Sequence, residues 1–428
     1  MTLNAGSLDN RAGTVSSAGQ LFSRLAGALN NQGGKLLSDA AIDLSGADLN
    51  NAGGILSAAG DISLQGARFD NSQKGRIVTD AAIHLATAQL DNSQGGSLSA
   101  RGVIDGRVTG LDQHGGGQLI GQAGIDLDLQ GGALNNAGGL LGSPGQLVLR
   151  NVASLDNRGG EISSDRAFTL TTGALLNQGG KLISSDRLTL TTGALNNSGA
   201  GVLSGNNGLT VNAASLDNSQ GGTLASRADL LVRSQGTLDN HGDGALVAGG
   251  KLDVGSASLN NQGGLLSASG NLLLATGTTD NRDGRLLAQG RLDGTTADID
   301  NRDGVISGAQ GLDLGAGNVL NGASATGKPG GLITSQAALT LRGGKLESTG
   351  GGEISAKGDL HLIVAQLIQQ QAALIGEGKV TLDLATAPSA ATSTTVAACS
   401  AQVASWQSTA WAASTTAAGK SPPARASP

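Results

Sequence analysis

The stretch Leu90-Asp91-Asn92-Ser93-Gln94-Gly95-Gly96 is the most informative part of the sequence for the fold, because it returns along the chain at a nearly constant interval. Close copies are Leu155-Asp156-Asn157-Arg158-Gly159-Gly160 and Leu216-Asp217-Asn218-Ser219-Gln220-Gly221-Gly222. We call the third residue of each copy the corner residue. From residue 10 to residue 321 the corner residues are separated by fifteen intervals, which makes about 21 residues per interval. The corner residues are Asn10, Asn31, Asn51, Asn71, Asn92, Gln113, Asn136, Asn157, Asn177, Asn197, Asn218, Asn240, Asn261, Asn281, Asn301 and Asn321.

The apolar residues between two corners follow the periodicity of a β-strand. After Asn31 they stand at Leu36, Ile42, Leu44 and Leu49, and neighbouring apolar positions within a segment are two apart. Side chains two apart lie on the same face of a strand, whereas a helix needs spacings of three and four. Each repeat therefore predicts two or three very short strands separated by Gly and Asn corners.

Two all-β architectures are compatible with such short strands. An array of hairpins would pair strands of three or four residues, which are marginal in isolation. A solenoid in which one repeat makes one turn lets every strand pair with its equivalent in the next turn, so that like residues stack. With degenerate copies ending at Ser348 and Gln369, we predict a single domain over residues 1–384, a parallel β-helix of about 18 coils with a period of 20–21 residues.

Within such a stack the fifteen corner Asn residues are the candidate site residues, and the role we expect for them is structural. Asn tolerates the left-handed backbone conformation of a sharp corner. Asn side chains that lie one above another can also pass hydrogen bonds from coil to coil as a ladder.

The composition agrees with a narrow aliphatic core. The 428 residues include 71 Gly, 3 Phe, 2 Trp and no Tyr, with 38% hydrophobic and 14% charged residues. An ordinary globular core draws much of its burial from aromatic residues, and a disordered chain would be richer in charge. The net charge of −6 comes without a basic stripe, so we expect no nucleic-acid partner. No apolar run reaches the 18 residues of a membrane span, and the first residues lack the pattern of a signal peptide.

Several residues that could serve in metal binding or catalysis are better explained by structural roles. The Asp residues that precede many corners, such as Asp91, could form a row that binds Ca²⁺, but Asn replaces Asp at the same position in other repeats. The four His residues, His84, His114, His241 and His361, lie in different repeats without metal-ligand spacing. Charged residues recur at corners rather than in one cleft, and a Thr-x-Thr face spans only two repeats. We therefore expect no cofactor, no metal and no catalytic residue.

Two segments depart from the repeat. Residues 322–330 read as a surface loop that bulges from one coil. Residues 385–428 are rich in Ala, Ser, Thr and Pro and contain Cys399, Trp406 and Trp411, so we expect a disordered tail. This tail is either a linker or a segment translated out of frame, and we favour the second interpretation. The chain also starts at a strand of the repeat and without a cap, so we expect either a piece cut from a longer rod or an incomplete reading frame.

The triplets and Gly-Gly pairs quoted above resemble the haemagglutinin repeats of filamentous-haemagglutinin-type exoproteins, the two-partner-secretion adhesins and contact-dependent growth inhibition effectors of Gram-negative bacteria. The resemblance covers residues 3 to about 384. It implies a right-handed β-helical filament that, in the intact parent, an outer-membrane two-partner-secretion transporter exports to the cell surface. The secretion domain and the toxin domain of such proteins have no counterpart in this sequence.

The function expected from this resemblance is that of a rod segment in a filament for attachment or inhibition, with a cell-surface receptor that the sequence does not identify. The alternatives are a stand-alone β-helix that binds or cleaves polysaccharide and an inactive fragment of a disrupted exoprotein gene.

Overall fold

The computed structural model describes residues 1–384 and, beyond them, only the strands Thr394–Thr395 and Trp406–Ser408. These two strands pair in parallel with Ile368–Gln369 and Val380–Leu382. The rest of the predicted disordered tail lies outside the described residues. The chain divides into two compact units, Met1–Gly270 and Asn271–Pro428, which are described separately.

One coil of the first unit shows how the sequence forms the fold. After the corner residue Asn177, the chain makes a short strand, Lys181–Ser184, and then a long strand, Leu188–Asn196, which ends just before the next corner. Alternate side chains point inward, and the long strand bends where the strict alternation stops, so the coil has three faces. The inward-facing leucines of this coil, each no more than 2% exposed, are Leu182, Leu188, Leu190 and Leu195.

The same pattern repeats through the first unit. Its short strands are Thr14–Ser17, Lys35–Ser38, Ile55–Ala58, Arg76–Thr79, Ser97–Ala100, Gln118–Gly121, Leu140–Ser143, Glu161–Ser164, Lys181–Ser184, Val202–Gly205, Thr223–Ser226, Ala245–Ala248 and Leu265–Ala268. Its long strands are Ile62–Asp70, Ile83–Asp91, Val103–Asp112, Gln146–Asp156, Phe168–Leu176, Leu188–Asn196, Leu209–Asp217, Leu230–Asp239 and Leu252–Asn260. Four coils divide the long strand into two pieces: Thr2–Ala5 and Leu8–Asp9, Leu21–Leu25 and Leu29–Asn30, Ile42–Ser45 and Asp48–Asn50, and Gly124–Asp128 and Ala133–Asn135.

Every strand pairs in parallel with its equivalent one coil away, so like residues stack. Leu182 pairs with Ile162 in the coil before it and with Leu203 in the coil after it. The stacked aliphatic side chains fill the interior, and the backbone N–H and C=O groups are satisfied between coils. The predicted all-β parallel solenoid of about 18 coils is thereby confirmed. The strands are longer than the sequence pattern suggested, because in most coils hydrogen bonding continues through the bend and joins two expected strands into one.

The second unit is built from the same parts. Its short strands are Arg285–Ala288, Val305–Gly308, Leu332–Ser335, Glu353–Ala356 and Ala373–Gly376. Its long strands are Leu272–Asp280, Leu292–Asp300, Leu312–Leu320, Leu339–Thr349, Leu360–Gln370 and Val380–Leu384. Residues 322–331 form the irregular segment of this unit, where the sequence predicts a surface loop, and the chain rejoins its coil at Leu332. Within residues 1–384 there is no helix, and therefore none that could span a bilayer.

Candidate functional site: the stacked corners

The corner amides form a continuous hydrogen-bonded ladder through most of the first unit. The Nδ2 group of Asn157 donates to Oδ1 of Asn177 at 2.7 Å, and Asn177 donates in the same way to Asn197 at 2.7 Å. The donor always lies in the earlier coil, so the amide dipoles are aligned. Between paired Asn residues of this unit the distance stays within 2.6–2.8 Å.

Each ladder amide also holds its own turn and the following coil. Nδ2 of Asn177 lies 3.2 Å from the carbonyl oxygen of Gly180 in the same turn and 3.3 Å from that of Val202, more than one coil onward. Its two N–H groups are thus shared among three acceptors. The side chain is fully buried, and a buried amide destabilises a fold unless its hydrogen bonds are satisfied. The ladder provides them.

Where a Gly-Gly pair follows the corner, its two residues serve different purposes. The first glycine, Gly179 in this coil, has φ of +63° in the left-handed region that turns the chain. The second, Gly180, has an ordinary φ, but a Cβ there would lie 1.9 Å from the carbonyl oxygen of Asn157 and 2.7 Å from Oδ1 of Asn177. Only glycine allows the backbone to pass this close to the ladder. The expectation that the corner Asn itself takes the left-handed conformation is wrong, because none of the fifteen corner Asn residues has a positive φ.

The ladder has one fault in the first unit, at the corner occupied by Gln113. Oε1 of Gln113 accepts from Asn92 at a longer distance of 3.2 Å. Its Nε2 has no hydrogen-bond partner, and neither does Oδ1 of Asn136 in the next coil, although both residues are fully buried. The additional methylene of Gln displaces the amide, so two buried polar atoms stay unpaired.

The second unit has a shorter ladder. Asn281 donates to Asn301 at 2.7 Å, and Asn301 donates to Asn321 at 2.8 Å. Nδ2 of Asn321 then donates to the carbonyl oxygen of Glu353 at 3.0 Å. The next corner is Ser348, whose hydroxyl donates to the backbone oxygen of Asn321 at 3.2 Å. The amide ladder of this unit therefore ends at Asn321.

Where the residue before a corner is Asp or Asn, its side chain closes the turn. Before Asn177 and Asn321 that residue is a leucine, Leu176 or Leu320, and makes no such bond. Oδ1 of Asp91 accepts the N–H of Ser93 at 3.0 Å, and Oδ1 of Asn196 accepts the N–H of Ser198 at 3.0 Å. Carboxylate and amide oxygens serve equally well in this kind of turn, which explains why the two residue types interchange. The same bond is made by Asp9, Asn30, Asn50, Asp70, Asp112, Asn135, Asp156, Asp217, Asp239, Asn260, Asp280 and Asp300.

Several of these carboxylates also bind an arginine two residues on. Arg158 donates from Nε to Oδ1 of Asp156 at 2.9 Å and from Nη2 to Oδ2 at 2.5 Å. The hydrogen bond from Arg158 lowers the pKa of Asp156. In the second unit, burial alone would raise the pKa of Asp280, but hydrogen bonds from Arg282 outweigh it and the pKa is lowered. In residues 1–384 no three His, Cys, Asp or Glu side chains converge to hold a metal ion.

The four histidines occupy exposed or half-buried positions, and each pairs with an aspartate, which the sequence interpretation missed. Nδ1 of His114 lies 2.7 Å from Asp112, two residues earlier in the same corner. Nδ1 of His84 lies 2.8 Å from Asp105, one coil away. His241 pairs with Asp239 and His361 with Asp383, both at 2.7 Å. The signals were present in the sequence as Asp-x-His at a corner and as a spacing of about one repeat.

The loop of the second unit is fastened to the corners by two carboxylates that sequence reasoning also missed. Asp303, only 9% exposed, accepts hydrogen bonds from the hydroxyl and the backbone N–H of Ser324. Nζ of Lys328 lies 2.8 Å from Asp283. Because a loop residue meets a corner one or two coils earlier, only the coiled structure brings these groups together.

Comparison with known proteins adds one finding. A family model described as the haemagglutinin repeat matches the chain seven times, at residues 2–86, 67–159, 131–200, 187–242, 241–294, 275–343 and 344–420. Neither the curated proteins nor the solved structures include one that matches.

Proposed function

This chain belongs to the haemagglutinin-repeat family of filamentous haemagglutinins, and on that premise we propose that it is a rod segment of a surface filament that mediates attachment to other cells or to a host. The proposal places the chain outside the cell, secreted or displayed on the surface of a Gram-negative bacterium. The proposal includes a non-catalytic role and, for the intact parent, export through an outer-membrane two-partner-secretion transporter.

The observation that supports a rod is the uniformity of the coils within each unit. The same inward leucines, corner amide and Gly turn recur in successive coils, and the regular Asp residues are engaged in turns or ion pairs. A stack of this kind gains length simply by adding coils, each worth about 4.8 Å. Stiffness follows because every coil is hydrogen-bonded to its neighbours along its strands and at its corner.

The proposal is tested by removing whole coils from the first unit. Deletion of residues 158–197 joins Asn157 to Ser198 and removes two coils between equivalent corners. We expect the variant to fold with the same β signal per residue in circular dichroism, and to be shorter by about 10 Å in electron microscopy. Deletion of residues 158–187 is the control, because it ends within a coil and breaks the register.

The functional measurement uses bacteria that export the chain behind a two-partner-secretion domain with the matching transporter. Surface exposure is followed by protease accessibility, and attachment is counted with and without the deletion. If the chain is a rod, the deletion variant keeps its attachment and is only shorter. If the exported and folded deletion variant loses attachment completely, the removed coils hold a binding site and the role as a plain spacer is wrong. Failure of the transporter to export the fused chain would contradict the proposed route.

A further inference from the structure

The short strands of the first unit form an outer face that differs from the other two faces in its charge. We call the outward side chains of its thirteen short strands the short-strand face. This face has four charged residues: Lys35, Arg76, Glu161 and Lys181. The part of the long strands that precedes the bend forms a second face. In the same unit this face carries nine charged residues: Arg24, Asp43, Asp105, Arg107, Asp126, Asp128, Arg150, Arg233 and Asp253.

Aliphatic side chains take the place of charge on the short-strand face. They point outward, partly exposed, and no two of them in one column occupy neighbouring coils. Nine coils each present one of them: Leu37, Ile55, Val78, Ile120, Leu140, Ile183, Val202, Val247 and Leu265.

The third position of each short strand forms a column in which large and small residues alternate. Along this column Val78 pairs with Ser57 and Ser99, and Ile120 pairs with Ser99 and Gly142. Ile183 likewise stands between Ser163 and Ser204. The large residues are knobs and the small ones leave holes, which is the relief that two packed sheets need to interdigitate.

We infer that the short-strand face binds the same face of a second copy of this chain in antiparallel orientation. With the two-fold axis at the coil of Gln118–Gly121, eleven coils of each copy overlap. Eleven coils at about 4.8 Å and four-residue strands at about 3.3 Å per residue give a footprint near 700 Å². This is close to the roughly 800 Å² that one partner contributes to a stable interface of standard size. The low charge of the face keeps the desolvation cost of such contact small.

One register places two knobs opposite holes and one pair of opposite charges together, while Ile120, beside the axis, faces its own copy. Suppose that the two-fold axis passes through the coil of Gln118–Gly121. Each coil of one copy then lies opposite the coil of the second copy that is equally many coils away from Gln118–Gly121 in the other direction along the chain. Ile183 then faces the coil of Ser57, and Val78 faces that of Ser163, so both knobs meet holes. The same register places Arg76 opposite Glu161, a pair of opposite charges that favours this arrangement over a shifted one.

The oligomeric state tests the inference directly. Sedimentation of the full chain at concentrations of about 1–100 µM should show a dimer. Replacing two of the knobs, Ile120→Lys with Ile183→Lys, should weaken dimerisation at least ~10-fold. The matched control is Val148→Lys with Leu231→Lys, which changes two outward, partly exposed aliphatic residues of the long strands and should leave the dimer unchanged. Circular dichroism verifies that every variant is folded.

A crosslink tests the register. In a Cys399→Ser background, Ile120→Cys places two thiols beside the axis, where a short bismaleimide can join them. Ile183→Cys, the control, places its two thiols about six coils apart, or roughly 29 Å, and should not crosslink. A monomer at 100 µM, a dimer that ignores the knob substitutions, or a crosslink at position 183 and not at 120 would each overturn the proposed interface. A monomer would leave the proposed function as a rod intact, because a rod needs no second copy.

Discussion

Replacing Gln113 by Asn should repair the ladder and stabilise the coils around it. An Asn at this corner can place its Nδ2 group toward Asn136, as Asn92 does toward Gln113 after a turn of the same length. Two unpaired buried atoms, Nε2 of Gln113 and Oδ1 of Asn136, would be replaced by one buried hydrogen bond. The substitution thus removes a defect without altering the turn.

The magnitude follows from the hydrogen bond that forms and the methylene group that is removed. An unsatisfied buried polar atom costs about 1–3 kcal/mol, and a hydrogen bond contributes about 0.5–1.5 kcal/mol net. Loss of one buried methylene subtracts about 0.8 kcal/mol. We expect the free energy of local opening to rise by about 1–3 kcal/mol. The reverse change, Asn157→Gln, creates a fault in an intact part of the ladder and should lower the same free energy by a similar amount.

Hydrogen exchange followed by mass spectrometry is the suitable assay, because stacked coils can open locally and a single global transition is not assured. Peptides that cover residues 113–140 should exchange about 5- to 100-fold more slowly in Gln113→Asn. Peptides that cover residues 2–60 serve as the internal control and should not change. If Gln113→Asn gives no added protection while Asn157→Gln gives no loss, the ladder does not contribute to stability and the reasoning is refuted.

Three further predictions concern the turns, the carboxylates and the loop. Gly180→Ala should lower the free energy of unfolding by more than about 2 kcal/mol because its Cβ would overlap the ladder, whereas Gly179→Ala should lower it by only about 1–2 kcal/mol because of the left-handed backbone. Urea titrations of both variants measure this difference, and equal effects would contradict the close-approach explanation. The lowered pKa of Asp156 means that its ionised form stabilises the fold above about pH 4 and that this contribution is lost as the pH falls through the folded-state pKa. The urea midpoint should therefore decrease more steeply from pH 7 through pH 5 to pH 3 in the unchanged chain than in Asp156→Asn, and parallel curves would refute a stabilising role of the Asp156 carboxylate. Asp303→Ala should release the loop at residues 322–331 and speed its cleavage by a protease several-fold, while the control Asp243→Ala, at the equivalent turn position of another coil, should not. Unchanged cleavage of Asp303→Ala would show that the contact between Asp303 and Ser324 does not hold the loop.

The repeat, and with it the class of fold, can be read from the amino-acid sequence alone. A corner residue about every 21 positions, with leucines two apart between corners, permits few structures besides stacked coils. The expectation that Asp and Asn interchange at corners agrees with the turn geometry, because both side chains offer an oxygen at the same place. The haemagglutinin-repeat resemblance was readable from the Leu-Asp-Asn and Gly-Gly pattern and is confirmed by the family match.

Contacts between coils, in contrast, become visible only in the folded stack. Whether an amide at a corner finds a partner depends on distances between coils, so Gln113 looks like a conservative replacement in the sequence and is a fault in the stack. Likewise, Ser324 reaches Asp303, and His84 reaches Asp105, only because the winding places residues about 21 positions apart side by side. A periodic sequence specifies its local turns strongly, but contacts between neighbouring coils depend on the register of the stack, which exists only after the chain has wound.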